Sequence, residues 1–273
     1  MSYSAFVVFT QHYFSTLLSD IGEVYCNQPV PRDPKLRIYK IPSRTNFSTE
    51  MLNLMTAGND RIMISPEVIG EAELVDILFE PYPNCSSTSL GLLGELLFVP
   101  SIIESMRWSP TESDIRTCMS HWLGWKSEAD GGIIPVDETS TYEEKDDNDN
   151  YEEIVDKILL IIVPSIQSKQ LTGWGMKPSA RNISGVYELP PAFCTTIVVT
   201  NELPKNEYTL WLRILGRGPN QRAAIQELMR LDTNYHKREL ILTVLKQWHQ
   251  ILLEGNLGKE SKYFMQVLSS IEI

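Results

Sequence analysis

The sequence lacks several features that mark special protein classes. Its longest uninterrupted apolar run, residues 158–163, is far shorter than the roughly 20 residues of a membrane-spanning helix. No basic residue precedes the apolar residues 6–9, as one would in a signal peptide. With 15 glycines and 16 prolines the chain is not collagen-like. These absences predict a protein with no membrane span and a cytoplasmic location.

Cysteine is also scarce, and the four cysteines (Cys26, Cys85, Cys118 and Cys194) are widely separated, with no C-x-x-C pair. In a chain of 273 residues this spacing predicts free, mostly buried thiols. Cys118 and His121 form a lone C-x-x-H pair, which without a second ligand pair is more often structural than metal-binding. We therefore predict no metal site at these residues.

Basic side chains are fewer than acidic ones, 24 against 35, and the net charge is -11. This balance argues against generic coating of nucleic acid, which needs lysine and arginine. Eleven acidic residues and one lysine fall within residues 130–156, so this window carries -10 of the total and the rest of the chain about -1. Such a stretch cannot bury enough apolar surface to fold, which predicts a mobile acidic loop.

Two sharper interpretations of the acidic loop are a calcium site and a docking segment, which would bind a basic partner or mimic nucleic acid. Asp146, Asn148 and Asn150 alternate as in a calcium loop. Tyr151 and Lys157, however, stand where such a loop needs its glycine and its bidentate glutamate. The pattern therefore favours a solvated loop, with the docking segment as the alternative.

Hydrophobic residues make up 42% of the chain, which is enough for a globular core. Their periodicity predicts strands over residues 24–30, 74–79, 158–163, 195–200 and 209–215. It predicts helices over residues 11–20, 90–99, 102–108, 109–125 with Ser109 as N-cap, a segment around Ala224, and 240–252. The predicted class is α/β, a mixed sheet flanked by helices.

The domain organisation follows from these elements. Residues 1–129, with an irregular insertion at 31–60, and residues 157–257 are predicted to share one core. Residues 130–156 are predicted to form the acidic loop between them, and residues 258–273 a tail.

Three segments resemble a family of cyanobacterial proteins of uncharacterised function. They are EAELVDILF at 71–79, LGLLG at 90–94 and TLWLRILGRG at 209–218, the last followed by Gln221, Ala224 and Ile225. The resemblance covers roughly residues 8–30 and 66–255. Members with the third motif are often labelled flagellar-assembly-like or recombination-promoting-nuclease-like, and the second label implies a PD-(D/E)XK nuclease fold, here in a degenerate form.

A PD-(D/E)XK site holds Mg²⁺ with an acid at one strand end and the glutamate of an E-x-K motif on the next strand, whose lysine orients the attacking water. Asp76 lies in a predicted strand and Glu80 at its end, so these are the candidate carboxylates. The following segment, 90–99, is predicted to be helical and has no lysine. We therefore expect that a lysine and two carboxylates do not converge on Asp76, which is otherwise an ordinary polar position on a half-exposed strand.

A second candidate site is the turn Gly216-Arg217-Gly218 ahead of a predicted helix, whose N-terminal amides attract anions. Arg213, Arg217 and Arg222 would add positive charge for nucleic acid or another anion. No Lys-Ser or Lys-Thr pair follows, so the turn is not a P-loop. A purely structural turn is the alternative.

Two functions remain open at this point. The incomplete catalytic set favours a non-catalytic interaction protein or accessory subunit on a nuclease-like scaffold, with an unidentified protein partner and no cofactor. The alternative is a metal-dependent nuclease or nucleic-acid-binding accessory factor, for which Mg²⁺ would be the cofactor.

Overall fold

The computed structural model describes residues 5–29, 74–129, 158–254 and 266–269. Within these ranges the chain is an α/β fold in which one mixed sheet of seven strands is flanked by helices, as the sequence predicts. The predicted insertion at 31–60 and the predicted acidic loop at 130–156 lie outside the described residues, as does most of the predicted tail.

The sheet joins strands from both sides of the acidic segment. In chain order the strands are β1 (Gly22–Pro29), β2 (Leu74–Pro81), β3 (Ser101–Ser105), β4 (Ile158–Val163), β5 (Lys177–Pro178), β6 (Val186–Glu188) and β7 (Thr195–Val199). Their order across the sheet is β1-β2-β3-β4-β7-β6-β5. Strands β3, β4 and β7 are parallel, and β2 is antiparallel to β3. The C-terminal ends of β3, β4 and β7 therefore lie on the same side of the sheet as the start of β2, and this side is here named the carboxyl edge.

Helices cover both faces of the sheet. They are α1 (Ala5–Leu17), α2 (Leu92–Leu96), α3 (Glu112–Ala129), α4 (Ser168–Gly173), α5 (Leu210–Ile214), α6 (Pro219–Arg230) and α7 (Arg238–Glu254), with a further short helix at 266–269. Three 3₁₀ turns lie at Thr88–Leu90, Pro191–Phe193 and Glu207–Thr209. None of the helices within the described ranges combines the length and apolar character that crossing a membrane requires.

The central strand β4 is apolar throughout because both of its faces are buried. Leu160 and Ile162 pack into the larger core cluster, which includes residues of α1, α5, α6 and α7. Leu159, Ile161 and Val163 pack into a second cluster with residues of α3. This continuous run is what allowed the strand to be predicted from sequence.

The secondary structure of two segments differs from the prediction: a predicted helix is a strand, and a predicted strand is a helix. Segment 102–108, predicted as a helix, contains most of β3, because Ile102 and Ile103 pack into the clusters on opposite faces of the sheet. Segment 209–215, predicted as a strand, contains α5, whose five residues are all buried. In both segments polar residues interrupt a short apolar run, so the sequence shows no clear period of two or 3.6 residues.

Helix α3 begins later than predicted, at Glu112. The N–H of Asp114 donates to Thr111 Oγ1 at 3.2 Å, and the N–H of Thr111 donates to Asp114 Oδ2 at 2.7 Å. This reciprocal capping pair replaces the predicted cap at Ser109. The cap fixes where the helix starts and hence which of its side chains lie over β3.

Candidate functional site

Asp76 and Glu104 face each other across strands β2 and β3. The strands are antiparallel with Ile77 opposite Ile103, so the next position places Asp76 opposite Glu104, on the other face of the sheet. The two carboxyl groups are hydrogen-bonded, and the N–H of Ser105 donates to the Asp76 carboxyl. The site therefore contains a second carboxylate that the sequence analysis did not predict.

Burial and the neighbouring acid keep Asp76 neutral. Its pKa is raised from 3.8 to about 8, first because burial disfavours the ionised form and then because of the charge and hydrogen bond of Glu104. The N–H of Ser105 acts in the opposite sense. Two acids in hydrogen-bond contact do not both ionise readily, so at neutral pH Asp76 keeps its proton and donates it to Glu104. A divalent cation is the other way to neutralise such a pair.

A third polar group reaches the site from α3. His121 lies about one helical turn after Cys118, on the side of α3 that covers the sheet, and its Nδ1 is 2.9 Å from Glu104 Oε1. The side chains of His121 and Glu104 are only 10% and 8% exposed. Because a carboxylate only accepts hydrogen bonds, this contact assigns the imidazole hydrogen to Nδ1.

Cys118 is a packing residue beside the carboxylates. Burial, followed by the charges of Glu104 and Asp76, raises the pKa of its thiol well above the usual value. A thiol that keeps its proton is a poor metal ligand. Within the described part of the chain, no group of three or more His, Cys, Asp or Glu side chains is placed to hold a metal ion, so the donor set is the two carboxylates.

Two carboxylates suit Mg²⁺ or Mn²⁺. Magnesium is usually held by one or two carboxylates, with water and substrate phosphates completing its shell, whereas structural zinc needs four nitrogen or sulfur ligands. Asp76 is only partly buried, which leaves the pair connected to the surface. The two facing carboxylates supply oxygen ligands of the kind that such a cation prefers, so the residues present fit a small divalent cation.

The residue two positions after Glu104 is Met106, where an E-x-K motif has its lysine. Among the described residues, no lysine contributes to the pKa shift of Asp76. The described site therefore has two acids on neighbouring strands and no lysine two positions after Glu104.

Glu80, the other predicted carboxylate, is not at this site. It is exposed and pairs in register with Glu23. It lies four positions after Asp76, which places it about 13 Å away along β2.

The three candidate arginines do not share one surface. Arg213 is 2% exposed and donates to Glu227 Oε2 at 2.7 Å, so its charge is used inside the fold. Arg217 lies near the carboxyl edge, where its backbone N–H donates to Asn201 Oδ1 at 3.3 Å. Arg222 is exposed on α6.

The sequence prediction does not indicate Glu104 or its contact with His121, because segment 102–108 is predicted to be a helix. A usable signal was present: Ser101-Ile-Ile-Glu-Ser105 places one acid in a β-branched run after the strand that holds Asp76. A strand assignment there would have indicated an E-x-M sequence in place of E-x-K.

No protein-family model, curated protein or solved structure matches this chain. What the site can do therefore follows from its own chemistry. A proton-sharing carboxylate pair, partly open to the surface and hydrogen-bonded to a buried imidazole, can exchange its proton for a divalent cation.

Proposed function

We propose that this protein binds Mg²⁺ or Mn²⁺ between Asp76 and Glu104 and acts as a metal-dependent nuclease. The placement of these two carboxylates opposite one another on adjacent strands carries the proposal. They lie at the carboxyl edge, the side on which open α/β sheets usually bind ligands. An acid on one strand and a glutamate on the next is also the order that the resemblance to PD-(D/E)XK nucleases implies.

The roles of the residues follow from this placement. Asp76 and Glu104 would hold the cation, which when bound would neutralise phosphate charge and lower the pKa of water. The N–H of Ser105 donates to Asp76 and favours its ionised form, the form that binds cations. Met106 has only a thioether, so it cannot donate a hydrogen bond to an attacking water.

Met106 supports a second candidate function, a non-catalytic accessory subunit. A scaffold that keeps the two acids but lacks the motif lysine can bind a cation without hydrolysing phosphodiesters. In this case the protein would act through a protein partner, and the cation would stabilise the carboxyl edge.

The experiment measures Mn²⁺ binding by electron paramagnetic resonance, and Mg²⁺- or Mn²⁺-dependent cleavage of DNA and RNA, on the same full-length preparations. The variants are Asp76→Asn and Glu104→Gln, which replace each carboxyl group by an amide with little change in shape. Glu80→Gln is the matched control, since it makes the same chemical change on β2 about 13 Å away.

We expect wild type and Glu80→Gln to bind Mn²⁺ and cleave, and the two site variants to lose both properties. If the wild-type protein binds Mn²⁺ without cleaving DNA or RNA, the nuclease proposal is wrong and the accessory-subunit proposal remains. A wild-type protein that binds no Mn²⁺, or cleavage that is equal in wild type and Asp76→Asn, would overturn the proposed site.

A further inference from the structure

The contact between His121 and Glu104 joins helix α3 to strand β3 at the carboxyl edge of the sheet. The Nδ1 to Oε1 distance of 2.9 Å is that of a well-formed hydrogen bond, and both side chains are nearly removed from solvent. Glu104 sits near the end of β3, whereas His121 is held by a helix whose start is fixed by the Thr111–Asp114 cap. The imidazole therefore meets the carboxylate from a rigid element.

A glutamate in this position needs such a partner. Its carboxylate has several rotatable bonds, and once Asp76 ionises the two acids repel one another. Ligating carboxylates are themselves commonly held by hydrogen bonds from an outer layer of residues. Met106 cannot supply that bond, and no lysine contributes to the pKa of Asp76 among the described residues. The N–H comes instead from His121.

We propose that His121 is a positioning residue for the cation site, whose Nδ1–H holds the Glu104 carboxylate in the orientation that faces Asp76. The inference rests on the proposed cation binding at Asp76 and Glu104. His121 is not itself a ligand in this arrangement, since its Nδ1 faces Glu104 and no three-residue metal group occurs within the described ranges.

Asparagine and glutamine at position 121 separate positioning from packing. The amide nitrogen of asparagine is the same number of bonds from Cβ as Nδ1, whereas that of glutamine lies one bond farther out. The affinity of the full-length protein for Mn²⁺, measured by electron paramagnetic resonance, should change little in His121→Asn. It should fall about 10- to 100-fold in His121→Gln, the range typical of a lost outer-layer hydrogen bond.

Cys118→Ala is the control for packing, because it alters the same buried face of α3 without touching the bond to Glu104. Equal Mn²⁺ affinities in His121→Asn and His121→Gln, or an equal loss in Cys118→Ala, would overturn the positioning role and leave the proposed function intact. Failure of wild type to bind Mn²⁺ would overturn both.

A measurement on the wild-type protein avoids any folding defect of the variants. With ¹⁵N-labelled histidine, we expect an exchange-protected Nδ1–H signal from His121 that persists when Mg²⁺ is added. Observation of the Nε2–H tautomer instead, or loss of the Nδ1–H signal on loading with Mg²⁺, would contradict the proposal.

Discussion

Replacing Asp76 with asparagine is expected to stabilise the fold at high pH but not at low pH. Folding raises the Asp76 pKa from 3.8 to about 8, so between these values the unfolded chain ionises while the folded protein keeps its proton. The contribution of Asp76 to stability is therefore fully present below its unfolded pKa and is lost as the pH rises toward its folded pKa. Asparagine does not ionise, so the variant avoids this loss.

The size of the effect follows from the shift. One pKa unit corresponds to about 1.4 kcal/mol, so a change from 3.8 to about 8 sets an upper limit of roughly 6 kcal/mol. Asp76 is only partly buried, and relaxation of its surroundings screens the charge. We therefore expect Asp76→Asn to gain about 1–3 kcal/mol at pH 8 relative to its effect at pH 4. Each kcal/mol corresponds to roughly 2–4 °C in Tm for a chain of this size.

Urea unfolding followed by tryptophan fluorescence gives the free energy directly, because Trp122 and Trp211 are buried. Wild type, Asp76→Asn and Glu80→Gln are compared at pH 4, 6 and 8, so that any pH-independent effect of the amide cancels. If the asparagine variant gains as much at pH 4 as at pH 8, or if Glu80→Gln gains equally, then burial and Glu104 do not hold Asp76 neutral.

Three further outcomes are expected. Mn²⁺ at ten times its Kd should stabilise wild type by about 1.4 kcal/mol in a thermal melt, and should leave Asp76→Asn unchanged. Arg213→Ala should lower the free energy of unfolding by about 3 kcal/mol, because it removes a buried guanidinium that donates to buried Thr209 and to half-buried Glu227. Exposed Arg222→Ala should stay within about 0.5 kcal/mol in the same urea titration. Gly94→Ala should lower Tm strongly, since its Cβ would lie 2.0 Å from the Ser87 carbonyl oxygen, whereas the Cβ of Gly173→Ala meets nothing within 4 Å.

Each of these outcomes has a clear contrary result. Equal Mn²⁺ stabilisation of both proteins would place the cation elsewhere. Equal effects at Arg213 and Arg222 would mean that the contacts of Arg213 with Glu227 and Thr209 do not stabilise the fold. Similar Tm values for the two glycine variants would mean that the chain at Ser87 moves freely away from Gly94.

The elements that sequence predicts well are those whose burial pattern is distinctive. Strand β4 is a pure apolar run because both of its faces are covered, and α7 carries a regular apolar stripe. Strand β3 was missed because its five residues are all buried while including two serines and a glutamate, a mixture with no readable period.

Only one of the two carboxylates of the candidate site, Asp76, can be predicted from the sequence. Asp76 stands in a recognisable strand, but its partner is set by the register between β2 and β3, which no short turn connects or fixes. Arg213 shows the converse case. It was predicted to bind an anion because its charge is visible in the sequence, while its neutralising partner Glu227 comes from the following helix.

The pairing of β3 with β4 has a consequence for how the chain is made. Strand β3 can pair with β2 once both have left the ribosome, but its partner on the other side, β4, is not available until residues 158–163 have been synthesised. An unpaired edge of a buried strand is a site for wrong association. A fragment ending at residue 129 should therefore aggregate, and adding a second fragment that begins before β4 during its refolding should reduce the light scattering. If the short fragment stays monomeric in sedimentation, the nascent edge is protected by another part of the chain.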